Sequence, residues 1–519
     1  MQNRSKLKWR KALPLPSSDK KSIVILSFDT LGDLVLRQPL FTSLLDEGYS
    51  TTVILRRNYE RILPLLDRRL KAITTKIHPY QLDNPEVLHQ AKELYQKIAD
   101  VQPDTLVSAP YNRTYLDDWL VAQFRKSDRV GFFNPALSES PRDPFLANSD
   151  TESIPSSELF TRLVQVAEDS HEGVKNQSLL EALLGKPFKE YRPTIKVTAD
   201  LERQAEELLP KLKLKPGRYV LGCPAGTAHV PIKFWPEDDY VELLAHLQDK
   251  HQLPVLLTGL PEESSFLERV AGKAKKRGIA CQRWIGLPED LVSLLGLIRH
   301  SCLYLGTDSG PMHLAAALDV PVVALFGGGT WPRFLPLARR SFVATQEIAC
   351  FGCNWDCWLD EPICIRKVPA QKFQDALDWI LGSAKDERRV DRGEKPEKFS
   401  EEIIQRAVPR TRARIGGLHT QLHGLAVDRA ASIRRMDEMA AKLEASEADR
   451  KARLEAFLGL QWQITELATT KASLKRVAAA VARRLGIFHF LKRRQQRLER
   501  VYDVLYRMVS RAQEGPPEK

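Results

Sequence analysis

The chain has 519 residues, 43% of them hydrophobic and 28% charged, with a formal net charge of +12 and seven cysteines. That length calls for two or three domains, no apolar run approaches the roughly 20 residues of a membrane-spanning helix, and so few cysteines exclude a disulfide scaffold. The positive balance suits anionic partners; with no nucleic-acid-binding module beside it, nucleotide sugars and lipid headgroups are expected, and nucleic acid is not.

Residues 1–20 are basic and polar, with Pro14 and Pro16 and no hydrophobic segment for a secretory signal, and read as a disordered arm. From Ser22 apolar strands alternate with helical stretches: strands at Ile23–Ser27, Thr52–Leu55 and Thr105–Ser108, and a helix at Pro85–Ala99. This rhythm predicts a parallel sheet wrapped on both faces, a first α/β domain over 21–190. The stretch from Ser138 to Ser157 is rich in Ser, Pro and Asp and reads as a surface loop. Lys186–Lys215 makes the connection to a second α/β domain over 191–385. Its strands fall at Arg218–Gly222, Pro254–Thr258, Cys302–Leu305 and Val320–Phe326, and a helix at Gln371–Leu381 closes it. The charged residues 386–400 read as a linker.

Beyond it, 401–519 is expected to be a basic, helical extension. Ile433, Met436, Leu443, Leu454, Phe457, Ile464 and Leu467 recur at helical spacing, but Glu447, Arg450 and Gln461 interrupt any coiled-coil seam. In the last helix Arg483, Arg484, Lys492, Arg493, Arg494 and Arg497 surround Leu485, Ile487, Phe488 and Phe490. That mixture fits either an anionic membrane surface or a solvated helix packed on its own enzyme or on a partner.

The most informative segment is 304–327. It reads as a strand end, a turn at Thr307, Asp308, Ser309 and Gly310, a helix opened by Pro311 at its first position, and an apolar strand. A helix that starts so directs free N–H groups and the positive end of its dipole at one spot, a place for a phosphate. Such a turn belongs at the carboxyl edge of an open α/β sheet, where these folds bind ligands.

The string from Asp308 to Leu318, Asp-Ser-Gly-Pro-Met-His-Leu-Ala-Ala-Ala-Leu, resembles the donor-site signature of glycosyltransferase family 9, the ADP-heptose:lipopolysaccharide heptosyltransferases. Two further segments resemble the family in the expected order. Ile23 to Leu36 looks like its opening strand and Leu-Gly-Asp loop. Lys233-Phe234-Trp235-Pro236, after Pro224-Ala225-Gly226-Thr227, looks like its Lys-x-Trp-Pro element. The resemblance covers roughly residues 21–385 and implies the GT-B fold, two facing Rossmann-like domains, here with a C-terminal α-helical extension. It implies an inverting transfer of a sugar, heptose from ADP-heptose, to a lipid-linked lipopolysaccharide core or other surface glycan. The chemistry so read calls for no metal, and the compartment is the cytoplasm, peripheral at the inner membrane.

By the resemblance, Asp33 is the base that takes the acceptor's proton. Its other reading is a cap on a helix starting near Leu34. Lys233 would meet the diphosphate as a point charge, or is an ordinary surface lysine, while Trp235-Pro236 packs the loop and anchors a helix from Glu237. Thr227 and Thr307 would add donors, Asp308 would contact sugar or ribose hydroxyls or stabilise its turn, and Ser309, Gly310 and Met312 would offer backbone N–H groups. His313 either reaches the donor or is structural. Cys350, Cys353, Cys357 and Cys364, spaced C-x2-C-x3-C-x6-C, are a candidate structural zinc set. Gly327-Gly328-Gly329-Thr330-Trp331-Pro332 departs from the family's usual pattern. The alternative to an enzyme is a catalytically idle GT-B scaffold whose tail binds a partner or membrane.

Overall fold

The computed structural model describes residues 22–79, 86–134, 156–226, 230–357, 359, 361–399, 401–403 and 405–406. The N-terminal arm, the Ser/Pro-rich stretch up to residue 155, Thr227 and nearly all of the helical, basic extension expected over 401–519 lie outside the described residues. Among the described residues no helix is long and apolar enough to cross a membrane.

By internal packing the chain forms two units. The first comprises Met1–Gly327, Trp331–Gln346 and Cys364–Gly393; the second comprises Gly328–Thr330, Glu347–Ile363 and Glu394–Lys519. The first unit holds two parallel sheets, each with its own helices.

The first sheet contains β1 (Ser22–Leu26), β2 (Ser50–Arg56), β3 (Lys71–Thr75), β4 (Thr105–Ser108), β5 (Asp128–Phe132) and β6 (Arg162–Val164), in the spatial order β3-β2-β1-β4-β5-β6. β1 pairs with β2 through Ile23↔Thr51 and with β4 through Ile23↔Thr105. Ile23, Val24, Ile25 and Leu26 are fully buried, as a central parallel strand covered on both faces must be. The connecting helices are α1 (Leu31–Leu36), α2 (Gln38–Asp46), α3 (Glu86–Val101) and α4 (Tyr115–Gln123); α5 (Glu172–Leu184) follows the last strand and packs on α1 and α2.

After α6 (Ala199–Lys211), the second sheet collects β7 (Val220–Cys223), β8 (Val255–Gly259), β9 (Cys281–Ile285), β10 (Leu303–Thr307), β11 (Val322–Leu325), β12 (Ser341–Ala344) and β13 (Arg388–Asp391), in the order β13-β12-β11-β10-β7-β8-β9. Its helices are α7 (Glu237–His251), α8 (Ser264–Lys276), α9 (Leu291–Arg299), α10 (Gly310–Ala317) and α11 (Ala370–Gly382). The strand read from the apolar run at Val320–Phe326 is β11.

One expectation is corrected. Residues 386–400, read as a linker, include β13, which pairs in parallel with β12 from Ser341↔Arg388 to Ala344↔Asp391. The second sheet therefore runs past residue 385. The charges that suggested a linker are those of an edge strand, where exposed arginines cost little.

Strand order reverses between β1 and β4 in the first sheet and between β10 and β7 in the second. Open α/β sheets bind ligands at these switch points, outside the carboxyl ends of the strands. The loop after β1 holds Asp33, and the loops after β7 and β10 hold the lysine segment and the donor-like turn. One apolar cluster, from Ile23 and Leu34 through Leu295 and Tyr304 to Val322, supports all three.

Candidate active site

After β1 the chain turns through Ser27–Thr30 into α1. Thr30 is the N-cap, and Asp33, at the third helical position, completes a capping box. The Thr30 hydroxyl donates to Asp33 Oδ2 at 2.6 Å and the Thr30 N–H donates to the same oxygen at 3.2 Å. The capping role is thus present in modified form: the helix starts at Leu31 rather than near Leu34, and Asp33 caps it from within. Its other oxygen takes no hydrogen bond among the described residues. A single oxygen, Oδ2, serves the helix.

The loop is pinned from below by Arg37, 1% exposed, whose guanidinium donates to Asp29 Oδ2 at 2.6 Å and to Ser27 Oγ at 2.8 Å. Burial pushes the Asp29 carboxyl up against the pull of Arg37, with Asp33 adding repulsion. The guanidinium itself is held charged: burial opposes it, but Asp29 and Asp33 outweigh that. The paired bonds between guanidinium and carboxylate, Nη1 to Oδ1 and Nη2 to Oδ2, position this turn more tightly than a lone cap can.

In the second sheet Thr307 ends β10 and donates through Oγ1 to Ala225 O at 3.4 Å. Ser309 is the N-cap of α10; its hydroxyl donates to Thr307 O at 3.2 Å and lies 3.1 Å from the Tyr304 hydroxyl. Gly226 lies against both: at φ +81 it has left-handed backbone, and a Cβ there would stand 2.9 Å from Ser309 Cβ. Glycine is required here on both counts. Its neighbour Thr227 lies outside the described residues.

Lys233 closes a short turn, Pro231–Lys233, and its Nζ lies 3.2 Å from Asp308 O and 3.4 Å from Asp308 Oδ2. Lysine and aspartate are thus one charged unit at the mouth of the turn, both largely buried. Trp235 fixes it as expected: 2% exposed, it packs edge-on against Tyr240 and Phe373, and α7 begins at Glu237.

Two details of α10 differ from expectation. The helix opens with Gly310, so Pro311 takes the second position. The Met312 N–H is not free for a ligand, because it donates to Ser309 O at 3.1 Å. Gly310 and the turn before it remain as backbone donors.

The two loops meet. A Cβ on Gly32 would come within 2.8 Å of His313 Cδ2, and one on Gly310 within 3.3 Å of Leu31 Cβ. α1 and α10 pack on each other at this point. His313 is 3% exposed, and its Nδ1 is buried without a hydrogen-bond partner among the described residues. Burial, with Lys233 and His171 nearby, lowers its pKa to about 3, so the ring is neutral.

A buried group that sequence reasoning missed adjoins this contact. Glu172, at the start of α5, accepts from Lys175 Nζ at 2.7 Å and from Arg333 Nε at 2.8 Å. The Glu172 N–H donates to Arg333 O at 2.8 Å, and His171 Nε2 lies 2.7 Å from Leu335 O. Lys175 Nζ also sits 4.2 Å from the Tyr111 ring centre. Burial lowers the Lys175 pKa to about 8, against the pull of Glu172. These bonds tie α5, which packs on α1, to the segment after the glycine run. Asp33 adds to the field that stabilises the Arg333 cation.

Cys350, Cys353 and Cys357 lie half-buried in the second unit, and Cys364 belongs to the first, in a short helix, Ile363–Arg366. Burial pushes the Cys353 thiol up to about 11. Elsewhere, His246, His251 and Asp378 bring three possible ligand atoms within 4.8 Å of one another.

Two parallel Rossmann-like sheets, with the Asp33 loop and the Asp308–His313 turn each at the carboxyl end of its sheet, are the architecture of the GT-B class of folds. Residues 149–354 match the model of glycosyltransferase family 9 (heptosyltransferase). The resemblance read from the sequence therefore holds over a segment that contains Lys233 and the Asp308–His313 turn, while Asp33 precedes it.

Among curated proteins the chain is similar to lipopolysaccharide heptosyltransferase 3 of Escherichia coli, 30% identical over 171 residues, 32% of this chain and 47% of that one. It is also similar to lipopolysaccharide heptosyltransferase 2 of Salmonella typhimurium, 32% identical over 119 residues, 23% of this chain and 34% of that one. The chain spans about half or less of the length of these relatives. Among solved structures, the E. coli ADP-heptose lipopolysaccharide heptosyltransferase II superposes with a TM-score of 0.52 at 18% identity, covering 69% of this chain and 98% of that one. A family 9 glycosyltransferase from Veillonella parvula gives 0.54 at 17% identity, covering 70% and 98%. The fold is GT-B.

Proposed function

We propose that this chain is an inverting glycosyltransferase that moves heptose from ADP-heptose to a lipid-linked lipopolysaccharide core acceptor. The observation that carries the reading is the contact of Gly32 with His313, which brings the Asp33 loop onto the first turn of α10. The relatives named above carry lipopolysaccharide heptosyltransferase names and favour this donor and acceptor.

In this reading the second oxygen of Asp33 takes the proton of the acceptor hydroxyl as that oxygen attacks the anomeric carbon. The bond from that carbon to the diphosphate breaks on the opposite face, and the electron pair leaves with the nucleoside diphosphate. The Lys233 ammonium and the N–H groups at the start of α10 offset the charge that develops on the leaving phosphate. Asp33 then returns its proton to water. The buried His313 Nδ1, which has no partner among the described residues, gains one from a donor oxygen. An idle scaffold does not account for a carboxylate held rigidly with one oxygen unused.

The test is to incubate the purified chain with ADP-heptose and a heptose-deficient lipopolysaccharide core. The expected result is ADP release matched by acceptor gaining one heptose with inverted anomeric configuration. Transfer of no sugar from any nucleotide donor contradicts the proposal.

A further inference from the structure

We propose that His246, His251 and Asp378 form a divalent transition-metal site, with Zn2+ as its natural occupant, that ties the carboxyl end of α7 to α11. His246 and His251 lie in the last turns of α7, which stops at Gln252 in left-handed conformation. Asp378 projects from α11, which packs alongside. Nε2 of His246 lies 2.8 Å and Nε2 of His251 2.7 Å from the same oxygen, Asp378 Oδ1. The two rings stand 5.8 Å apart at 60°, and the three ligand atoms all lie within 4.8 Å of one another. The side chains are 18%, 18% and 28% exposed, sheltered yet open to an ion from solvent.

Two imidazole nitrogens and one carboxylate oxygen are the donor set of open Zn2+ sites, with a fourth position for water. At zinc-ligand distances near 2.0–2.2 Å, tetrahedral donor atoms stand roughly 3.3 Å apart. On loading, the two histidine-to-aspartate spacings of 2.8 and 2.7 Å therefore open by about half an ångström as an ion enters between the three atoms. Each imidazole would present its Nε2 lone pair and keep its proton on Nδ1. Lys250 Nζ lies 2.5 Å from the other carboxylate oxygen, Oδ2. It orients the carboxylate and leaves Oδ1 for the ion, as outer partners of metal ligands do. The carboxyl end of a helix, negative in its dipole, adds to the attraction. Sequence spacing conceals the group, since Asp378 lies 127 residues from His251.

The experiment uses the full-length chain, stripped with chelator and titrated with Co2+ and then Zn2+, beside the His246→Ala/His251→Ala double variant and Asp378→Asn. The parent is expected to take up Co2+ with visible ligand-field absorption and no thiolate-to-metal charge-transfer band, and Zn2+ should displace it. Both variants should lose at least about tenfold in affinity, with unchanged circular dichroism and nucleotide binding. Uptake unaltered in the double variant, no uptake by the parent, or absorption only with a thiolate band, which would assign the ion to the cysteines, overturns the proposal.

Discussion

Gly32 and His313 touch: a methyl group on the glycine would stand 2.8 Å from the imidazole Cδ2. The residue before the candidate base thus rests on the first turn of the candidate donor helix, one from each sheet. Gly32→Ala is expected to force these elements apart, at a cost of about 1–3 kcal/mol in stability, the usual range for an extra carbon in a packed site. Denaturant unfolding measures the first effect. Sugar transfer should fall further than stability alone explains, because the base and the donor turn separate.

Lys233 faces Asp308 at 3.4 Å, at the turn to which the proposed function assigns the diphosphate. Lys233→Ala should weaken ADP binding by about 1.5–3 kcal/mol, the range for hydrogen bonds to charged groups. Calorimetric titration with ADP reads this directly. An unchanged affinity would remove Lys233 from the donor site.

Glu172 holds two buried cations, Lys175 and Arg333, and the first is fully enclosed. Glu172→Gln removes the carboxylate to which both cations are hydrogen-bonded. Breaking a buried pair in this way costs about 3–5 kcal/mol, so the variant should unfold at clearly lower denaturant. If it unfolds with the parent, the strap between α5 and the 331–335 segment adds nothing to stability.

His313 gives a pH signature. Its pKa falls from 6.5 unfolded to about 3 folded, chiefly by burial. Between those values the unfolded chain binds a proton that the folded chain refuses, so this contribution to stability is intact above pH 6.5 and is lost as pH falls toward 3. The slope is about 1.4 kcal/mol per pH unit. Asp117, buried and raised to about 6, acts in the opposite sense, but equally in parent and variant. His313→Gln should therefore gain on the parent steadily below pH 6.5 in unfolding free energy. A constant difference would mean that the ring is charged or exposed.

Much of this was legible in the sequence because the signals are local. Continuous apolar runs such as Val322–Leu325 mark strands covered on both faces, and Ser309-Gly310-Pro311 marks a helix start whatever surrounds it. Asp33 carried two readings, and the structure shows the capping one, through a single carboxylate oxygen. Strand β13 escaped because Arg388, Arg389 and Asp391 carry the charges of an edge, without the apolar pattern of a core strand. The Glu172–Arg333 pair escaped for another reason. Its partners are 161 residues apart, and neither sits in a periodic pattern that assigns it to the other. Sequence reasoning likewise assigned Met312 a free N–H, which the tight first turn of α10 consumes.

The central claim is that Asp33 takes a proton from the acceptor while the turn at Asp308 holds the donor, and Asp33→Ala tests it most directly. Loss of the capping box should cost about 1 kcal/mol of stability, leaving the chain folded and binding ADP as the parent does. In single-turnover transfer from ADP-heptose, the predicted rate falls at least about a hundredfold, the lower bound for removing a general base. A variant that binds ADP and transfers sugar at the parental rate would contradict the account.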